Sequence, residues 1–346
     1  MMLGFLCLCL TVYAENVCFC KHGTRMYIQG DMGPTASFSK YSSELRRVRA
    51  RGDYQAALNL ALDAHGLFPD EHALTWYWRS CLLSLLGRSG EALDALRAGL
   101  AEGEWWKPSM MEEDADLDCV RDLIDFSAIL EECETRYRAA QASGRPQCTI
   151  ISPSSGLWEP QSLLLLHTRG GSSPEFRSHW LPLVDEGWTL VSLQSSQPLH
   201  SGGYCWDDAD RARREISDQI EECRRVRGMD LGRLVIAGAS QGARMAFEVA
   251  QAMAVPWLCV IPAFPAGYDS GPFIASRSRD RGAFLLGAED PANERTRHLV
   301  VSLKAAGAEV RSQSMPGVGH ELPDDLAARA RESLEWIRAS GRAEEE

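Results

Sequence analysis

"VIAGASQGARMAFEVAQAM", Val235 to Met253, is the stretch whose reading decides the fold of this chain. Its opening, with Leu234 before it, is a short apolar run, partly β-branched, of the kind that makes a buried strand. Its second half puts Met245, Val249 and Met253 four residues apart, on one face of a helix. Between the two stands Gly238-Ala239-Ser240-Gln241-Gly242. A sharp strand-to-helix turn leaves no room for Cβ atoms two positions either side of its apex, and glycine meets that steric need. The apex residue, Ser240, then projects above the sheet at the start of a helix.

Outward from this turn, short apolar runs alternate with longer helical stretches. Strands are predicted at Cys148 to Ile151, Ser162 to His167, Thr189 to Leu193, Leu234 to Ala237, Leu258 to Ile261, Ala283 to Leu286 and Glu309 to Ser312. Helical patterns lie between them, notably Asp207 to Arg227 and Asn293 to Ala306. That alternation predicts an α/β fold with a mostly parallel sheet, whose active site gathers at the carboxyl ends of the strands. After the strand at Ala283 to Leu286 comes "GAEDP", with Glu289 and Asp290. After the strand at Glu309 to Ser312 comes "MPGVGHELP", with His320. A Gly-x-Ser-x-Gly turn followed by an acid and then a histidine is the nucleophile–acid–base order of an α/β-hydrolase. The chemistry needs all three. A serine hydroxyl is a weak nucleophile until a base takes its proton, and the acid fixes the tautomer of that base.

Residues 146 to 340, more than half the chain, resemble the phospholipase/carboxylesterase and dienelactone-hydrolase-like branch of the α/β-hydrolases. The Ser240-Gln241-Gly242 turn and the "VSLQSSQ" segment carry the likeness to the carboxylesterase side. A dienelactone hydrolase proper would have cysteine in place of Ser240. The resemblance implies Ser240 as nucleophile, His320 as base and Asp290 as acid. Glu289 is the alternative acid, less favoured because the family's offset is Gly-x-x-Asp. It also implies an oxyanion hole made by the backbone N–H of Gln241 and one from "LLLLHTRGGSSPEF". That loop is similar to the His-Gly-x-Gly loop of carboxylesterases. Arg169 takes the donor position, but Thr168 stands where the family has glycine, so the second N–H belongs to Thr168 or Arg169. His167 is then a structural loop residue. In "HSGGYCWDD", Tyr204 and Trp206 are candidates for the acyl pocket; the alternative has Trp206 packing while Asp207 or Asp208 caps the next helix. Only about twenty residues separate the predicted strands at Leu258 to Ile261 and Ala283 to Leu286. That leaves no room there for a large cap, which points to small or short-acyl esters.

Residues 44 to 145 contain no strand pattern and read as a small all-α domain preceding the sheet. Gly52 and Gly87 are 35 residues apart, as are Ala57 and Ala92. The spacing is close to the 34-residue period of tetratricopeptide repeats. Gly52, Tyr54, Ala57, Ala64 and Pro69 resemble one good copy, and Gly87 and Ala92 a degraded second one. Two such repeats cannot bury their own faces and are expected to pack on the neighbouring domain, either shaping its site or docking a protein partner. Trp76, Trp78, Trp105 and Trp106 are read as helix-packing aromatics, with a ligand-facing role as the alternative.

The chain has 346 residues and a net charge of −12. Two domains are expected at that length. An anionic surface without a basic stripe excludes nucleic acid as a partner. No apolar run is long enough to span a bilayer. Eleven cysteines are scattered without metal-ligand spacing; in the densest part, Cys7-x-Cys9 and Cys18-x-Cys20, only His22 is near, and no metal site is expected. Residues 1 to 43 read as an N-terminal extension, disordered or a cleaved signal, with Gly30 to Ser43 as linker. Met2 to Tyr13 is similar to a signal-peptide core but lacks the charged leader, so a cytoplasmic location is expected and export is the alternative. The leading functional expectation is a serine carboxylic-ester hydrolase acting on a small-molecule ester without metal or organic cofactor. The alternatives are a catalytically silent interaction protein using its repeats, and a thioesterase or peptidase on the same fold.

Overall fold

The computed structural model of the chain describes residues 18–19, 25–26, 37–153, 161–265, 268 and 281–339. The expectations placed on residues 1–14, on the Cys7 and Cys20 motifs and on the middle of the 262–280 stretch lie outside these residues. The first unit contributes one antiparallel pair, β1 (Cys18–Phe19) with β2 (Arg25–Met26). From Phe38 onward the chain is a single second unit.

That second unit starts with helices: α1 (Phe38–Ala50), α2 (Tyr54–Leu67), α3 (His72–Leu85), α4 (Ser89–Ala101), α5 (Pro108–Glu113), α6 (Asp118–Arg121) and α7 (Ile124–Ser143). Gly52 turns α1 into α2 at φ +80°, and Gly87 turns α3 into α4 at φ +72°. The 35-residue spacing read in the sequence is thus the spacing of two helical hairpins. Asp53 caps α2, its side chain accepting the Ala56 N–H at 3.0 Å. Ala57, Ala61, Ala64 and Ala92 are fully buried, and their small side chains let the helices approach. Phe38 to Ser43, expected as linker, form the first turns of α1. The Ser-rich composition hid two anchors: Phe38 stacks on Trp78 at 5.2 Å, and the buried Tyr41 lies edge-on to Phe68 at 5.4 Å. Trp76 and Trp106 are buried in the helical core, and Trp78 and Trp105 pack against it, so the ligand-facing alternative falls.

The sheet has seven strands: β3 (Gln147–Ile151), β4 (Gln161–Leu166), β5 (Trp188–Gln194), β8 (Leu234–Ala239), β9 (Trp257–Val260), β10 (Arg281–Gly287) and β11 (Glu309–Met315). A hairpin outside the sheet supplies β6 (Gln197–His200) and β7 (Gly203–Cys205). The order is β11-β10-β9-β8-β4-β5-β3, parallel throughout except β3, which runs antiparallel to β5 at the edge. Alternation along each strand sends Leu164, Leu166, Val191 and Ile236 to one face and Leu163, Leu165, Leu190 and Val235 to the other. The first face is covered by α10 (Ala209–Arg227), α11 (Gln241–Met253) and α12 (Asn293–Ala305), through Ile216, Phe247 and Leu299. The second is covered by α8 (Ser173–Ser178), α9 (Pro182–Asp185) and α13 (Leu326–Ala339), through Phe176, Leu183 and Leu334. Strand order reverses between β4 and β8, and there the carboxyl ends open a crevice.

The helical region is joined to the hairpin by backbone. Trp106 forms an antiparallel bridge with His200. Lys107 N–H donates to Leu199 O at 2.8 Å, and Ser201 N–H to Trp105 O at 3.1 Å. Among the described residues no helix is long and apolar enough to cross a membrane.

Candidate active site

Ser240 follows β8 at φ 51° and ψ −115°, a backbone conformation that side chains rarely adopt. Both flanking glycines are sterically required. A Cβ on Gly238 would overlap the Gly242 carbonyl, and one on Gly242 would overlap the carbonyls of Leu166 and His167. The turn is held from the next strand, Ser240 N–H donating to Val260 O at 3.0 Å.

The other two expected residues meet this serine. His320 Nε2 lies 2.9 Å from Ser240 Oγ, and His320 Nδ1 lies 2.7 Å from Asp290 Oδ2. A carboxylate only accepts, so Nδ1 carries the proton and the Nε2 lone pair faces the hydroxyl. Asp290 is buried and its other oxygen accepts the Ala292 N–H at 2.8 Å. Burial pushes its carboxyl upward, but the bonds from His320 and Ala292 outweigh that and hold it below the usual range. Glu289 is exposed and points no bond at the ring. The loops after β10 and β11 touch because Gly287 has no side chain: a Cβ there would overlap Gly319 O.

The loop expected to supply the second oxyanion donor packs on the elbow, where the Leu166 and His167 carbonyls crowd Gly242. The backbone N–H groups of Gln241, Thr168 and Arg169 have no hydrogen-bond partner among the described residues. Their loop is pinned by His167, which is fully buried. Its Nδ1–H donates to Thr168 O at 2.8 Å, and its Nε2 accepts from Ser195 N at 3.2 Å and Gln194 Nε2 at 3.0 Å. Burial pulls its pKa down to about 4, so the ring is neutral and fully committed. Gly170 N–H then donates to Tyr204 O at 2.7 Å, and Tyr204 N–H to Gly171 O at 3.0 Å.

Of the two readings of this loop, the structure shows the packing one. Trp206 does not line a pocket: it is buried in the core, stacked on His167 at 4.8 Å, with Nε1–H donating to His167 O at 2.9 Å. Its ring is large enough to wedge the loop from beneath, and that use consumes its face. Tyr204 stays half-buried beside the same loop. Asp208, not Asp207, caps α10, accepting the Arg211 N–H at 2.9 Å. Asp207 instead gathers Arg169 Nε at 3.0 Å, Lys107 Nζ at 2.9 Å and Gln241 Nε2 at 3.0 Å. Partial burial raises its carboxyl, but these three donors win and hold it well below the ordinary range. The hub ties the helical region, the loop after β4 and the elbow together. Sequence reasoning missed it; the only signal was a pair of aspartates of which one cap uses one.

The strand order is that of the α/β-hydrolase fold, here with a helical N-terminal region, and Ser240, His320 and Asp290 meet at its carboxyl ends. Residues 44–141 match the family model described as A/B hydrolase-like, N-terminal domain. No curated protein matches the sequence. Among solved structures, an uncharacterized protein from Bacillus cereus ATCC 10987 is 21% identical, over 87% of this chain and 99% of that one, with a TM-score of 0.46. The Bacillus cereus carboxylesterase is 18% identical over 58% and 99%, TM-score 0.45. A carboxylesterase from Mesorhizobium loti is 20% identical over 55% and 93%, TM-score 0.46.

Proposed function

We propose that the chain is a serine hydrolase cleaving carboxylic esters of small or short-acyl substrates. The observation that carries this reading is the relay Ser240–His320–Asp290, at 2.9 and 2.7 Å, on a strained elbow beside free backbone donors. Ser240 Oγ attacks the ester carbonyl carbon while His320 Nε2 takes its proton. The carbonyl oxygen becomes an oxyanion between the N–H of Gln241 and that of Arg169 or Thr168. The imidazolium, stabilised by Asp290, returns its proton to the departing alkoxide, leaving an acyl-serine. Water, deprotonated by the same ring, attacks the acyl carbon; collapse releases the acid and restores Ser240. The short span between β9 and β10 supports small substrates, and the seven unbridged cysteines among the described residues support a reducing, cytoplasmic setting over export.

A fluorophosphonate probe tests the reading: labelling that disappears in Ser240→Ala supports it, and no labelling of the folded wild type overturns it in favour of a silent interaction protein. A rate panel of p-nitrophenyl esters of graded length, acyl thioesters and a peptide amide then separates ester from thioester and peptide chemistry.

A further inference from the structure

We infer that His65, His72 and Glu102 form a binding site for a zinc-class divalent cation, apart from the triad. His65 stands in the last turn of α2, His72 opens α3, and Glu102 directly follows α4. One ligand atom from each lies within 4.8 Å of the others. The tautomers make this convergence significant. His72 Nε2 lies 3.2 Å from His65 O, and a carbonyl only accepts, so that nitrogen carries the proton. The remaining nitrogen, Nδ1, faces Glu102 Oε2 at 3.2 Å. A ring nitrogen and a carboxylate oxygen that face each other this closely can share one cation. The spacing fits an ion: two ligands about 2.1 Å from zinc at the tetrahedral angle stand about 3.4 Å apart.

His65 completes the set. Its Nδ1 lies 2.9 Å from Thr75 Oγ1, whose hydroxyl donates to His72 O at 3.2 Å. The Nδ1–H therefore points at Thr75, and the Nε2 lone pair is left open. Its ring lies against that of His72 at 4.0 Å, within the same 4.8 Å cluster. Outer bonds of this kind orient metal-binding histidines in general. Glu102 is steadied by Trp76 Nε1–H at 2.7 Å. Two nitrogens from half-buried histidines and one exposed carboxylate suit zinc better than calcium or magnesium, which want oxygen ligands. The Arg79 guanidinium, stacked on Trp76 at 3.9 Å, sits close by and moderates the affinity. Bound metal would staple the ends of α2, α3 and α4 one residue from Glu71, which lines a cavity of about 330 Å³ shared with Gly170 and Ser172.

The test is a calorimetric titration of the full chain with Zn²⁺ alone at pH 7.5, with tryptophan fluorescence as a second readout and Co²⁺ absorption for coordination. One saturable site is expected. Glu102→Gln, which keeps the Trp76 bond, and His72→Ala should each weaken it at least about tenfold, with unchanged circular dichroism, whereas His320→Ala should not. A wild type that binds no zinc overturns the proposal. So does binding that Glu102→Gln and His72→Ala both retain in full.

Discussion

Arg46 on α1 donates a hydrogen bond at 3.3 Å to the backbone carbonyl of His320, the residue whose ring meets Ser240. The same guanidinium holds Ser42 Oγ at 2.5 Å. A helix that opens the helical region thus touches the base of the proposed relay. Arg46→Met is expected to lower kcat several-fold, up to about tenfold for the loss of one hydrogen bond to a charged group. KM and the melting temperature should change little, because the contact is exposed and lies behind the imidazole. Steady-state kinetics on a good ester substrate read this directly; an unchanged kcat would mean the tether does not position the ring.

Ser240 carries a conformation that glycine adopts without strain. Ser240→Gly should therefore raise unfolding stability by roughly 1 kcal/mol, since the serine side chain makes no cap bond to α11. At the same time activity should fall by about 10⁴ to 10⁶. Urea unfolding beside initial rates would display the two effects moving in opposite directions.

The acid of the relay can be assigned by substitution. Asp290→Asn should cost about 10² to 10⁴ in kcat, because an amide holds the wrong tautomer of the ring. Exposed Glu289→Gln should leave the rate within about twofold, as surface changes away from a site usually do. The reverse ranking would transfer the role to Glu289 and leave the Ser240–His320 pair standing.

His167 makes stability depend on pH. Its ring stays neutral in the folded chain down to about pH 4, whereas a histidine in an unfolded chain titrates near 6.5. Between those values the unfolded state binds the extra proton. The stability is complete above about pH 6.5 and is lost as pH falls toward about 4, on the order of 3 kcal/mol in all. His167→Gln, which cannot titrate, should lose this slope. The difference in unfolding free energy between wild type and variant, measured at pH 7 and pH 5, checks it.

Much of the catalytic half was legible because its signals are local. All seven predicted strands are present; the five inner ones, β4, β5, β8, β9 and β10, are parallel strands buried on both faces and read as near-continuous apolar runs. The elbow announced itself through two glycines that sterics demand, and Asp290 and His320 through their places after β10 and β11. What escaped depends on partners far along the chain. Asp207 meets Lys107 across 100 residues and Arg46 meets His320 across 274, distances no periodicity reports. The β6–β7 hairpin was missed because Pro198, Gly202 and Gly203 make it read as loop. The direction of β3 was equally silent: a half-buried edge strand has the same composition either way.

The joint between Trp106 and His200 also sets an order of events during synthesis. The helices leave the ribosome first, yet the hairpin that completes their exposed backbone at Trp105 and Lys107 lies roughly ninety residues downstream. At about 5 to 20 residues per second that is an interval of roughly 5 to 20 seconds. Throughout it Lys107 N–H and Trp105 O lack the partners they have in the folded chain. A chaperone acting on this chain has its work concentrated in that window, and slow codons between residues 107 and 199 would lengthen the exposure.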